Sequence, residues 1–443
     1  MVILIKAAQL LLSLSILVIL HEFGHFLFAK LFHCRVEKFY LFFDPWFSLF
    51  KTQKGETEYG VGWLPLGGYV KISGMIDESM DKEQMKLPPQ PWEFRSKPTW
   101  QRLLIMIGGV LFNLILALAL YSMILFVWGD EYLPTQNAKY GIVVSDTGRE
   151  IGLRNGDKIL SVDGKIVESF TKIVPTIVLD GAQTIEIQRD SQKLILPVKK
   201  EIIPRLLTDK NILSLRVPFS CKIVAFAKQS PARDAGMELG DEILSVDSAK
   251  FKFYDQFVDK LALSKDSDVT VQFVRKGVNL TKKIRIGSSG LIGIQRAYDL
   301  EGVFEYKTVK YSLLESIPAG ISKGYRTVGD YLKQFKLLFS PKTKAYESLG
   351  GFIAIGNIFP GVWDWESFWN LTAFLSIILA VMNILPIPAL DGGHVLFLLY
   401  EIVTRRKPSD KFLEYAQIAG MVLLFSLLIY ANGNDIIKLF RNW

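Results

Sequence analysis

Two histidines and a glutamate, His21, Glu22 and His25, stand inside an apolar run that begins at Ala7 and continues to Phe32. Ionisable side chains near a bilayer centre cost on the order of 2.5–3.5 kcal/mol each, so three within five positions need a compensating partner. A metal ion is the natural one. On a helix His21 and His25 are i, i+4 neighbours and offer both imidazoles to one zinc, while Glu22, one step round, reaches water at that metal as a general base. In a soluble helix His-Glu-x-x-His is often a solvated polar stripe, which an apolar run does not sustain. A secretory signal, with Lys6 as its charged part and 7–20 as its core, is the other simple reading. The run continues through the charged motif without a small-residue cleavage signal, so a retained helix is expected.

A second polar cluster interrupts a later apolar run: Asn383-Ile-Leu-Pro386-Ile-Pro388-Ala-Leu-Asp391-Gly392-Gly393-His394. Two prolines in three residues break a helix, which a membrane tolerates only where the chain is buried in protein or lines a wet cavity. A catalytic zinc takes three protein ligands and keeps one position open, so a carboxylate from this second segment would complete the set. Asp391 is the candidate, because it also lowers the net charge in a low dielectric; His394 is a rival ligand on the same helical face, or an outer support. Asn383 either holds substrate backbone or a developing oxyanion, or caps the broken helix. Asn113 reads as an interhelical hydrogen-bonding residue.

The elements that must carry these residues are apolar helices. Of 443 residues 50% are hydrophobic and 22% charged, too apolar for an ordinary soluble protein and too charged for an all-membrane one. Beside the first run, Leu103 to Trp128, Phe368 to about Tyr400 and Phe412 to Tyr430 qualify as spans. The formal net charge of +8 reflects orientation rather than nucleic-acid binding. Lys30, Arg35 and Lys38 follow helix one, Arg95, Lys97 and Arg102 precede helix two, and Arg405, Arg406, Lys407 and Lys411 join helices three and four; these ends belong in the cytoplasm. Both termini and the stretch between helices two and three are then outside. Cys34 and Cys221, on opposite sides, imply no disulfide framework.

That outer stretch contains an internal repeat. Gly152-Leu-Arg-Asn-Gly156-Asp157-Lys-Ile159-Leu160-Ser-Val162-Asp163 recurs as Gly236-Met-Glu-Leu-Gly240-Asp241-Glu-Ile243-Leu244-Ser-Val246-Asp247, each leading into alternating strand segments. Both copies resemble PDZ domains, which commonly bind extended chain ends by strand addition and here serve equally well as spacers or a size filter. The first copy closes its turn with Gly164, the second with Ser248. The charged, Pro-rich stretch Asp77 to Pro98 reads as a cytoplasmic loop.

Taken over nearly its whole length, the chain resembles the intramembrane site-2 metalloproteases. His21, Glu22 and His25 fit that family's zinc motif, Asp391 fits its Asn-x-x-Pro-x-Pro-x-Leu-Asp-Gly motif, and the tandem PDZ-like pair falls between helices two and three. Gly60 to Ile72 looks like its membrane-reentrant β-hairpin, Phe94 to Arg102 like its lead into helix two, and Ser348-Leu-Gly350-Gly351 like the element before helix three. At Gly108-Gly109, relatives usually carry Gly-Pro. The resemblance implies a Zn2+ enzyme that cuts a single-pass membrane protein, often an anti-sigma factor already trimmed by another protease. It also implies a monomer among lipids of a bacterial inner membrane, with its PDZ-like repeats on the periplasmic side and its site toward the cytoplasm. A substrate helix hides its carbonyls and must unwind before attack; the hairpin edge at Gly67, Gly68, Tyr69 and Val70 would receive it as an added strand.

The expected architecture is a multi-pass α-helical membrane protein with four transmembrane helices and tandem PDZ-like β-rich extramembrane domains. Helix one falls in 1–33, a cytoplasmic or reentrant β region in 34–100, helix two in 101–129, the repeats in 130–215 and 216–300, and a linker and amphipathic region in 301–367. Helix three with the aspartate takes 368–403, helix four 410–432, and a tail 433–443. A metal-dependent transporter, or a PDZ scaffold without catalysis, would also use polar membrane residues; neither explains Glu22 beside two histidines together with an aspartate on a broken helix.

Overall fold

The computed structural model describes all residues except 66, 76–86, 210, 298–301, 339–349 and 442–443. The first half of the charged loop, Asp77 to Lys86, and Ser348 and Leu349 of the element before helix three therefore lie outside the described residues, as does Leu66. The chain divides into two compact units, one of Met1–Asp130 with the described residues from Lys310 onward, the other with Glu131–Val309.

Among the described residues of the first unit, four helices are long and apolar enough to cross a membrane. Helix α1 (Val2–Leu31) carries the His-Glu-x-x-His motif, and α2 (Thr99–Val127) runs against it. Helix α3 (Leu313–Leu338), a strongly amphipathic 26-residue element, also packs on α2 and lies within the stretch expected as a linker and amphipathic region. A short α4 (Phe352–Ile358) precedes α5 (Trp365–Asn383), α6 (Asp391–Thr404) and α7 (Asp410–Arg441). Two expectations are corrected here. The run expected as one helix over 368–403 is two, because Pro386 and Pro388 withhold backbone donors and the chain turns through 384–390 before α6 begins. The residues expected as a C-terminal tail continue α7 as far as Arg441.

Helix α2 is the hub. Ala117, Leu120, Tyr121 and Ile124 form one buried cluster with Ala373, Ile377 and Val381 of α5. At its other end Ile105 and Met106 meet Ala29 of α1 and Val395 and Leu398 of α6. Arg102 of α2 donates to Glu401 of α6 at 2.6 Å, and Thr99 to the same oxygen at 3.0 Å; the pair is largely buried and pins the far end of α6.

A four-stranded sheet follows α1: β1 (Val36–Leu41), β2 (Phe43–Lys54), β3 (Thr57–Leu64) and β4 (Tyr69–Ile72), in the order β2-β3-β1-β4. This corrects the hairpin expected over Gly60 to Ile72. Strands β3 and β4 do not pair with each other; each flanks β1, β3 in parallel and β4 antiparallel, and the hairpin of this sheet is β2–β3. Strand β4 is an edge.

The second unit contains the two copies of the Gly-x-x-x-Gly-Asp turn. The first leads into β5 (Lys158–Val162), which pairs with β6 (Thr184–Arg189) and through it with β7 (Gln192–Pro197). The second leads into β8 (Glu242–Val246), paired with β9 (Ala249–Lys250) and with β10 (Asp268–Arg275), which carries β11 (Val278–Arg285). Ser248 adopts the turn that Gly164 adopts: φ is +47° and +72° at Asp163 and Gly164, +49° and +64° at Asp247 and Ser248. Asp157 accepts from Arg189 at 2.8 and 2.7 Å and Asp241 from Arg275 at 2.8 Å twice, and each arginine also donates to the first glycine carbonyl of its turn. These arginines were not singled out by the sequence, because they stand more than thirty residues beyond their aspartates.

Candidate metal centre

Helix α1 is unbroken through its motif, so His21 and His25 project from one face one turn apart, both buried. They fit against α2 because α2 has no side chain there. A Cβ at Gly109 would overlap both imidazoles, and Gly24 and Gly108 let the two backbones touch. The glycine pair, noted in the sequence only as a local departure, is thus the wall of the site.

Asp391, the first residue of α6, brings Oδ2 to 3.2 Å from His21 Nε2 and 3.3 Å from His25 Nε2, and the two imidazole nitrogens are 3.3 Å apart. Among the described residues this is the one group of His, Cys, Asp or Glu whose ligand atoms converge in this way; His394, a turn further along α6, is not part of it. A tetrahedral zinc with bonds of about 2.0–2.1 Å sets its ligand atoms about 3.3 Å apart, so the three separations fit that ion.

The outer contacts agree. His25 Nδ1 lies 2.8 Å from the Ile105 carbonyl, to which it donates, leaving Nε2 with a free lone pair. His21 Nδ1 lies 3.0 Å from the Asn113 amide nitrogen, while Asn113 Oδ1 is buried without a partner. Turning that amide over gives a His21 Nδ1–H its acceptor and frees Nε2 in the same way. Asp391 Oδ2 is likewise buried with no donor aligned on it.

A cavity of about 620 Å3 opens at this point. Its lining includes the residues the sequence offered as base, ligands and substrate contacts: His21, Glu22, His25, Gly67, Gly68, Tyr69, Val70, Asn383, Asp391 and His394. Glu22 is half-buried, facing the Val70 main chain. Asn383 ends α5 with its amide nitrogen 3.2 Å from His21 Nε2, so it points into the site; the C-terminal N–H bonds of α5 are made by Ile384 backbone. Tyr69 is anchored away from the chemistry, its hydroxyl donating to Asp44 at 2.9 Å and its ring stacked on Tyr40. Gln417 of α7 also lines the cavity and was not anticipated.

Two nitrogens and one carboxylate oxygen around a common point, with a second carboxylate beside them, is the arrangement metal-assisted hydrolysis requires. Sequence comparison agrees with that chemistry. The pattern of peptidase family M50 matches residues 9–427. A Campylobacter jejuni protein named as a zinc metalloprotease is 30% identical over 437 residues, covering 97% of this chain and 92% of that one. One from Neisseria meningitidis, similarly named, is 27% identical over 451 residues, covering 96% and 98%. The regulator of sigma E protease of Haemophilus influenzae is 26% identical over 462 residues, covering 96% and 97%. The chain belongs to peptidase family M50, the site-2 proteases, and is a zinc metalloendopeptidase.

Proposed function

We propose that this enzyme hydrolyses a peptide bond within the transmembrane segment of a single-pass membrane protein of the anti-sigma-factor type, after another protease has trimmed it. His21, His25 and Asp391 hold the zinc and Glu22 is the base. The observation that carries the reading is the convergence of three ligand atoms 3.2–3.3 Å apart among helices apolar enough to span a membrane. The substrate class draws on the name of the Haemophilus influenzae relative.

Zinc, when bound, polarises the scissile carbonyl and makes water acidic enough to be deprotonated near neutral pH. Glu22 takes that proton and returns it to the leaving amine. The Asn383 amide, whose nearest partner nitrogen on His21 is committed once His21 is a ligand, is left to donate to the developing oxyanion. An unwound substrate segment pairs with β4, which has no strand on its outer side among the described residues and whose approach through Gly67, Gly68, Tyr69 and Val70 lines the cavity. The enzyme works as a monomer among lipids of a bacterial inner membrane, its site toward the cytoplasm, and its two PDZ-like repeats on the periplasmic side restrict access to trimmed substrates.

The test is cleavage of purified single-pass proteins, trimmed and full-length, with and without a chelator. Cleavage inside the membrane segment of the trimmed form, abolished by the chelator, is expected. Chelator-insensitive cleavage would overturn the mechanism, and equal cleavage of both forms would overturn the access role of the repeats.

A further inference from the structure

The segment 384–390, which delivers Asp391, is held from outside. Ala389 has φ +76°, a left-handed conformation that its Cβ disfavours. Its N–H donates to Oε1 of Gln417 on α7, 3.1 Å away, and Gln417 is only 4% exposed. One turn along α7, Gly420 lies so close against the Pro388 carbonyl that any side chain there would overlap it. Helix α7 as a whole is sparsely held, with 11% of its most apolar stretch buried. Phe412 meets Phe397 near its start, and Asp435 near its end accepts from Gly351 and Ala354 at 2.9 Å.

The geometry points to Gln417 as a positioning residue: its side-chain carbonyl keeps Ala389 left-handed and so fixes the carboxylate of Asp391, two residues on, making α7 part of what builds the metal centre. This rests on Asp391 being a zinc ligand, as proposed above. A broken helix at membrane depth must find partners for its main-chain donors, and Gln417 supplies one from a neighbouring helix. Without that acceptor the half-buried Ala389 N–H loses its partner, the alanine relaxes toward negative φ, and the chain entering α6 rotates.

Three variants test it: Gln417→Met, which keeps length but loses the acceptor, Gln417→Glu, which keeps an acceptor oxygen, and Gln417→Met combined with Ala389→Gly. The readouts are the rate at which purified protein loses zinc to a chelator, and kcat and KM on a transmembrane peptide. Gln417→Met is expected to lose zinc about tenfold faster and to drop about tenfold in kcat with KM little changed. Gln417→Glu should stay near the parent. The double variant should recover most of the loss, since glycine adopts positive φ freely, whereas a misfolded protein would not be rescued this way. Parental zinc release in Gln417→Met, equal damage in Gln417→Glu, or no recovery with glycine at 389 would each overturn the proposal. Asp391→Ala, measured alongside, separates the two layers. If it retains zinc, the ligand assignment fails and the proposal with it; if it loses zinc while Gln417→Met releases it at the parental rate, only the role of Gln417 fails.

Discussion

Asp391 in the helical unit and Asp241 in the β-rich unit are both carboxylates withdrawn from water, and their surroundings differ in kind. Asp241 is fully claimed: Arg275 donates to both oxygens and the Glu238 N–H adds a third bond at 2.8 Å. Asp157 repeats the pattern with Arg189 and the Arg154 N–H. Asp391 instead turns Oδ2 toward two imidazole nitrogens with no aligned donor. Buried polar atoms are normally satisfied, so a structural carboxylate and a carboxylate awaiting a cation can be told apart by whether the protein itself completes its bonds.

The contrast makes opposite demands on substitutions. In the helical unit they should remove chemistry and spare the fold. Glu22→Gln is expected to lower cleavage of a transmembrane peptide by about 10²–10⁴-fold while zinc content and unfolding stay parental, because a base is lost and no ligand is. Retained cleavage at full zinc content would break the assignment of Glu22. In the β-rich unit the reverse holds. Asp241→Ala should lower the unfolding free energy of that unit by about 1–3 kcal/mol in denaturant titration, with zinc content unchanged. Loss of zinc in that variant would erase the distinction.

The smallest effect is one of pH. Burial alone would raise the Asp241 carboxyl, but the Arg275 guanidinium and the Glu238 amide outweigh it and hold the carboxyl below its usual range. A carboxyl depressed in the folded state contributes stability that is present above its unfolded value of about 4 and is lost as pH falls through that value toward the folded one. The stability gap between parent and Asp241→Ala should therefore be constant from neutral pH to about 5 and narrow below about 4. A gap that widened in acid would show that the clasp favours the protonated form.

What the sequence made legible follows the range of the interactions. His21, Glu22 and His25 are set by helical periodicity alone, and α1 needs no tertiary information to align them. Asp391 was readable because two prolines and an aspartate in an apolar run are costly without a purpose. The sheet is less legible: the family resemblance implies a hairpin over Gly60 to Ile72, but β1, from before it in the chain, inserts between its strands, and pairing order is not a local property. Gly109, Gln417 and the arginines Arg189 and Arg275 were missed for the same reason. A glycine in an apolar helix looks like packing until two imidazoles are found against it, and an arginine over thirty residues from its aspartate carries no spacing signal.

The central claim is that His21, His25 and Asp391 form the zinc site, with His394 outside it. Zinc per chain, measured on purified parent, Asp391→Ala and His394→Ala proteins of equal folded content, tests it most directly. One zinc in the parent, nearly none in Asp391→Ala and close to one in His394→Ala is the expected result. Full zinc in Asp391→Ala, or its loss in His394→Ala alone, would contradict the account.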